Sequence, residues 1–165
     1  MSFLRPRYRV AHYTELTVEM LKQMGAEALV CDIDNTLAAH DVGTADDTVR
    51  AWLAELQRAE ISVAVVSNND IHRVARFNEG LDLPCLPKAG KPKAEAYLNA
   101  CRLLGSRPGA TAFLGDQLFT DMAGANRAGL ISVLTAPLPF PEPFLIRLKR
   151  KAEAPFLWAW SKKRR

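Results

Sequence analysis

Cysteine is scarce in this 165-residue chain: Cys31, Cys85 and Cys101 form no C-x-x-C pair. An odd, sparse set excludes a disulfide scaffold and points to a reducing compartment. Long apolar runs are also missing. None reaches the roughly 18 residues needed to span a bilayer. Met1 to Pro6 has no apolar stretch of the kind a secretory signal carries, so none is expected. There is no internal repeat. The three histidines, His12, His40 and His72, lack ligand spacing and read as surface residues. Nor is the charge of one sign throughout. Arg147 to Arg165 holds 8 basic residues and one acid, Glu153, for a net +7, while residues 1–146 carry −3. A uniformly basic nucleic-acid-binding fold is excluded; a basic appendage on a slightly acidic body is what remains.

What is present is the composition of a folded domain, 48% apolar and 24% charged. Short apolar runs alternate with amphipathic stretches. Residues 28–33, 61–66, 83–86, 111–114 and 131–134 read as strands, rich in aliphatic and β-branched side chains. Helices are expected over 45–59, with Thr44 as N-cap, and over 71–79, 93–104 and 119–128. Gly80, Gly105 and Gly129 stop the last three. A further helix over 14–24, capped by Thr14 or Thr17, precedes the first strand. The order predicts an α/β fold: a Rossmann-like three-layer α/β/α architecture on a parallel sheet. Four prolines between Pro137 and Pro143 divide a domain over 1–136 from a basic, tryptophan-containing tail over 137–165.

Parallel sheets of this kind bind ligands at the carboxyl ends of their strands. Asp32 and Asp34 follow the first strand, and Asp116 and Asp121 follow the fourth. Each pair also reads as a helix cap or solvated turn. Together they place four carboxylates on one sheet edge, a donor set suited to magnesium. Ser67-Asn68-Asn69 after the second strand can bind phosphate or cap a helix. Lys91, fixed by Pro92 at a helix start, is either a site lysine or a solvated turn residue. Cys101 and Arg107 have the C-x5-R spacing of cysteine-dependent phosphatases. Cys101 lies within a helical pattern, however, and that chemistry needs a loop after a strand. Cys31 and Cys85 read as core.

The DxDxT of Asp32–Thr36, the S-N-N, Lys91-Pro92 and the G-D-x-x-x-x-D ending at Asp121 occur in the order of the haloacid dehalogenase-like phosphatase motifs. The chain resembles that superfamily, subclass IIIA, and within it the YqeG-type, phosphatidylglycerophosphate phosphatase-like branch, over nearly its whole length. The resemblance implies Asp32 as nucleophile, Asp34 as general acid and base, and Lys91 as the charge that orients Asp32. It implies Ser67 and Asn68 as phosphate-binding residues. Mg2+ would be held by Asp32, the Asp34 carbonyl, Asp116 and Asp121. Only 35 residues separate Asp32 from Ser67 and 24 separate Ser67 from Lys91, too few for a cap domain at either place. A core without a cap suits a large phosphorylated substrate, with a phosphatidylglycerophosphate-like lipid foremost. The alternatives are a protein or nucleotide phosphatase, or a catalytically idle relative docking on RNA or the ribosome through the tail. The expected location is cytoplasmic, and the Trp- and Lys/Arg-containing tail can meet an anionic membrane surface, pack on the body, or contact nucleic acid.

Overall fold

A computed structural model describes residues 3–39, 42–141 and 144–162. Six parallel strands make one sheet: β1 (Tyr8–Val10), β2 (Ala28–Cys31), β3 (Ser62–Val66), β4 (Cys85–Leu86), β5 (Thr111–Gly115) and β6 (Ile131–Thr135). Their spatial order is β1-β6-β5-β2-β3-β4. From β2 the chain builds outward to β4, then returns to the other side of β2 to place β5 and β6; β1, first in the chain, lies at the edge beside β6. The direction of winding therefore reverses between β2 and β5, and a crevice opens there at the strand ends.

The helices are α1 (Val18–Gln23), α2 (Asp47–Arg58), α3 (Ile71–Phe77), α4 (Ala94–Leu103), α5 (Ala123–Ala128) and α6 (Phe144–Lys162). Alternate strand residues feed two cores. Leu29, Cys31, Val63, Val65, Ala112, Leu114, Ile131 and Val133 join one core with Leu21, Val49, Leu53, Leu56, Val74 and Phe77. Val30, Ala64, Val66, Phe113 and Leu134 join the other with Tyr97, Cys101, Met122 and Ala125. Burial on both faces is why these strands read as unbroken apolar runs instead of alternating ones. Each fully buried Leu, Val or Phe contributes roughly 1.5–3 kcal/mol by leaving water.

Several sequence expectations change. An unforeseen strand, β1, adds to the edge beside β6; only Val10 of its three residues is buried. The expected helix over 14–24 splits into a 3-10 turn, Tyr13–Glu15, and α1, capped by Thr17. Asp46, not Thr44, caps α2, because its carboxylate accepts from Val49 N at 2.8 Å. Pro92 lies outside α4, which begins after Lys93, and the Lys91-Pro92 peptide is cis. The segment expected as one helix over 119–128 opens as a π-helical turn, Leu118–Met122, before α5. Cys101 lies in α4, buried, and burial raises its thiol pKa, which removes it as a nucleophile. His40 and the basic residues from Lys163 onward lie outside the described residues.

The tail forms α6, which packs on the body at the strand-end face. Among the described residues no helix is long and apolar enough to cross a membrane.

Candidate active site

The end of β2 delivers Asp32 to the crevice. Its N–H donates to Leu114 O at 2.9 Å, continuing the ladder with β5, so the carboxylate is rigidly placed. The chain then folds back on itself: Leu37 N and Ala38 N both donate to Ile33 O, at 2.8 and 3.1 Å. That turn needs a positive φ at Asn35 (61°), a conformation asparagine adopts more readily than most residues. It aims Thr36 Oγ1 at Asp116 Oδ1, 3.1 Å away across the sheet.

Asp116 follows β5 directly. Asp121 returns to it because the π-helical turn leaves Gln117 N free to donate to Asp121 Oδ2 at 3.0 Å. Gly115 makes this approach possible, since a Cβ there would lie 2.6 Å from Asp121 Cβ and Cγ. On the far side, Tyr97 O–H donates to Thr120 O at 2.9 Å, and Gly124 leaves room for the tyrosine ring. The aromatic contact thus fixes the turn that carries a site carboxylate.

Lys91 reaches the cluster from the loop after β4. Its Nζ lies 2.7 Å from Asp32 Oδ1 and 2.8 Å from Asp121 Oδ1, and its side chain is almost fully buried. Burial favours a neutral lysine, but the carboxylates of Asp121 and Asp32 overcome it and hold the pKa above its ordinary value. The lysine is positioned by Asn68. Asn68 Oδ1 accepts from Lys91 N at 2.7 Å, and Asn68 Nδ2 donates to Lys91 O at 3.1 Å. The asparagine side chain, expected on phosphate, is therefore spent on the lysine loop. Ser67, buried at the end of β3, accepts from Asn69 N at 3.0 Å and lines the same cleft.

Asp32, Asp116 and Asp121 each bring a carboxylate oxygen within 4.8 Å of the others. Asp34 does not join them through its side chain. Its carboxylate takes Arg73 Nε at 3.2 Å and Asn69 Nδ2 at 3.2 Å, at the other rim of the cleft. Sequence reasoning missed Arg73, which α3 projects back over the turn after β2; its guanidinium also donates to Gly43 O and Ala39 O. Burial, with neighbouring Asp121 and Asp116, pushes the Asp32 carboxyl well above the ordinary range despite Lys91. Burial and Asp121 push Asp116 up to about 6, against the pull of a second unforeseen residue, Arg150 of α6. Among the described residues, the three clustered carboxylates of Asp32, Asp116 and Asp121 are paired with two cationic groups, Lys91 and Arg150. Clustered hard oxygen donors that outnumber their cationic partners fit a divalent cation. The cleft beside them has a volume of about 260 Å³, and Ile146 and Lys149 of α6 supply one wall.

Carboxylates at the ends of the first and fourth wound strands, a buried lysine between them and a serine at the end of the second are one constellation on one sheet edge. Residues 5–129 match the family model of the haloacid dehalogenase-like hydrolases. The chain belongs to that family. It is 34% identical over 162 residues to Probable phosphatase YqeG of Bacillus subtilis, covering 98% of this chain and 94% of that one. It is 29% identical over 182 residues to phosphatidylglycerophosphate phosphatase 1, chloroplastic/mitochondrial, of Arabidopsis thaliana. That match covers 98% of this chain but spans 49% of the plant protein. Among solved structures, the deoxy-D-mannose-octulosonate 8-phosphate phosphatase YrbI of Haemophilus influenzae shares the fold, with a TM-score of 0.56 at 18% identity. That alignment covers 69% of this chain and 70% of that one. The chain is thus a phosphatase of the haloacid dehalogenase-like family, with an acidic cluster able to hold a metal ion.

Proposed function

We propose that this protein is a magnesium-dependent phosphomonoesterase that works through an aspartyl-phosphate on Asp32. The observation that carries the reading is the buried Lys91 bridging Asp32 and Asp121 beside Asp116, at the reversal point of the sheet. An Asp32 carboxylate oxygen attacks phosphorus, and the bond from phosphorus to the ester oxygen breaks. The leaving oxygen takes a proton from Asp34, which then accepts a proton from the water that attacks the aspartyl-phosphate. That step releases inorganic phosphate and restores the Asp32 carboxylate. Magnesium held by Asp32, Asp116, Asp121 and the Asp34 carbonyl would neutralise charge gathering on the phosphoryl oxygens. Lys91 holds Asp32 oriented and offsets the charge of Asp121. Ser67 and the main-chain N–H of Asn68 receive the phosphoryl oxygens.

The substrate we infer is the exposed phosphate of a large molecule, foremost a phosphatidylglycerophosphate-like lipid. Three things support this: no cap domain is inserted between the motifs, the plant relative is named for that lipid, and Lys149 stands at the cleft. The outer stripe of α6, Phe144, Leu148, Lys151 and Trp158, is exposed and mixes apolar with basic groups, as does a helix resting on an anionic lipid surface. The test is phosphate release from lipid, sugar, nucleotide and peptide phosphates, with magnesium or with chelator, for the parent and Asp32→Asn. The reading predicts magnesium-dependent release, greatest with the lipid and absent in Asp32→Asn. Release unaffected by chelator, or by Asp32→Asn, overturns it; preference for a small sugar phosphate overturns the substrate class alone.

A further inference from the structure

Helix α6 turns a second stripe inward: Ile146, Arg150, Glu153 and Leu157, spaced as one helical face. Leu157 packs against the core around Tyr97 and Phe113. Glu153 is buried and accepts from Leu118 N at 2.7 Å and Phe119 N at 3.3 Å, the N–H groups at the start of the π-helical turn. Arg150 donates through one nitrogen to Asp116 O at 2.6 Å and through the other to the Asp116 carboxylate, and it also pairs with Glu153 at 3.6 Å. Helix docking is therefore centred on Asp116 and on the turn that carries Asp121.

Both Asp116 carboxylate oxygens already have donors, Thr36 Oγ1 on one and Arg150 on the other. The hydroxyl can rotate and become an acceptor. The guanidinium is always charged and always a donor. A divalent ion shared among Asp32, Asp116 and Asp121 would thus sit against a fixed positive charge, on an oxygen that charge already binds.

We propose that Arg150 occupies the cation's place at Asp116, so that ion binding and the docking of α6 oppose each other. The inference rests on reading the acidic cluster as the ion site. Thermodynamic linkage makes the effect reciprocal: an ion loosens the middle of α6, and a docked α6 weakens the ion. Because Ile146 and Lys149 of the same helix line the cleft, loading the ion widens the entrance a substrate must use.

The experiment measures Mn2+ binding to the full-length protein by electron paramagnetic resonance, together with hydrogen exchange of residues 144–162 with and without the ion. Arg150→Gln is expected to bind Mn2+ about tenfold more tightly than the parent. Glu153→Gln, which weakens docking without touching Asp116, is expected to shift in the same direction by less. In the parent, Mn2+ is expected to speed exchange in α6. Asp121→Asn is the control that removes the ion site. Should Arg150→Gln fail to fold, Glu153→Gln and the parent's exchange decide. Mn2+ binding that is equal or weaker in the variants, or exchange in α6 that slows with the ion, overturns the coupling alone. No Mn2+ binding in any of the proteins overturns the ion site and the coupling together.

Discussion

Replacing Lys91 with methionine keeps most of the side-chain volume and removes the charge. Asp32 and Asp121 then lose a shared partner that lies 2.7 and 2.8 Å from them in a buried site. Removing one member of a buried ion pair costs about 3–5 kcal/mol, because the remaining charge has no compensation. The lower end applies here. The Asp32 carboxyl is already pushed up by burial, so it relieves part of the loss by taking a proton. At about 3 kcal/mol, and with roughly 2–4 °C of melting temperature per kcal/mol for a chain of this size, the expected drop is about 6–12 °C. The sign of the pH dependence follows from linkage. A carboxyl whose folded pKa exceeds its unfolded one binds more protons when folded, so stability falls as pH rises between the two values. Lys91→Met should accordingly be more damaging at pH 8 than at pH 5. Melting followed by circular dichroism, in chelator at both pH values, measures it. A variant that melts within about 2 °C of the parent at pH 8 would refute the claim that Lys91 holds the carboxylates together.

Gly115→Ala brings a Cβ to 2.6 Å from the Asp121 side chain, so it should displace Asp121, lower the melting temperature, and remove the stabilisation by magnesium that the proposed ion site predicts for the parent; thermal shift with and without magnesium checks this. Gly124→Ala places a Cβ 2.2 Å from Tyr97 Cε2, and overpacking of this kind should lower stability by about 1–3 kcal/mol in denaturant titrations. Burial and Asp121 push the Asp116 carboxyl up to about 6, so protons compete with a cation below that pH. Divalent-ion affinity measured by calorimetry should therefore rise between pH 5 and pH 7.

The four strands that form the heart of the sheet were legible because each is buried on both faces along most of its length and is largely apolar. Ala28–Cys31 and, after the exposed Ser62, residues 63–66 are such runs, and the carboxylates and Ser67 that follow them mark where they end. Tyr8–Val10 was not legible: it is three residues at an edge, two of them exposed, and it becomes a strand only by pairing with β6. The π-helical turn was hidden for a similar reason. Its geometry depends on Gly115, on Tyr97 against Gly124 and on Glu153, all distant in sequence. Asp32, Lys91, Asp116 and Asp121 could be placed on one edge from the order of the motifs. The engagement of Asn68 with Lys91, and of Asp34 with Arg73, depends on side-chain directions that spacing does not give. One signal for α6 was present and overlooked: Glu153 is the single acid in the strongly basic stretch from Arg147 to Arg165. A lone carboxylate three residues from Arg150, in register with Ile146 and Leu157, marks an inward face.

The central claim, that Asp32 carries the phosphoryl group, is tested most directly by trapping it. Acid quenching during turnover of a phosphate ester, followed by borohydride reduction, converts an aspartyl-phosphate to homoserine, which peptide mass spectrometry locates. The account predicts homoserine at position 32, dependent on substrate and on magnesium. Homoserine at position 34 instead, or undiminished phosphate release from Asp32→Asn, would contradict it.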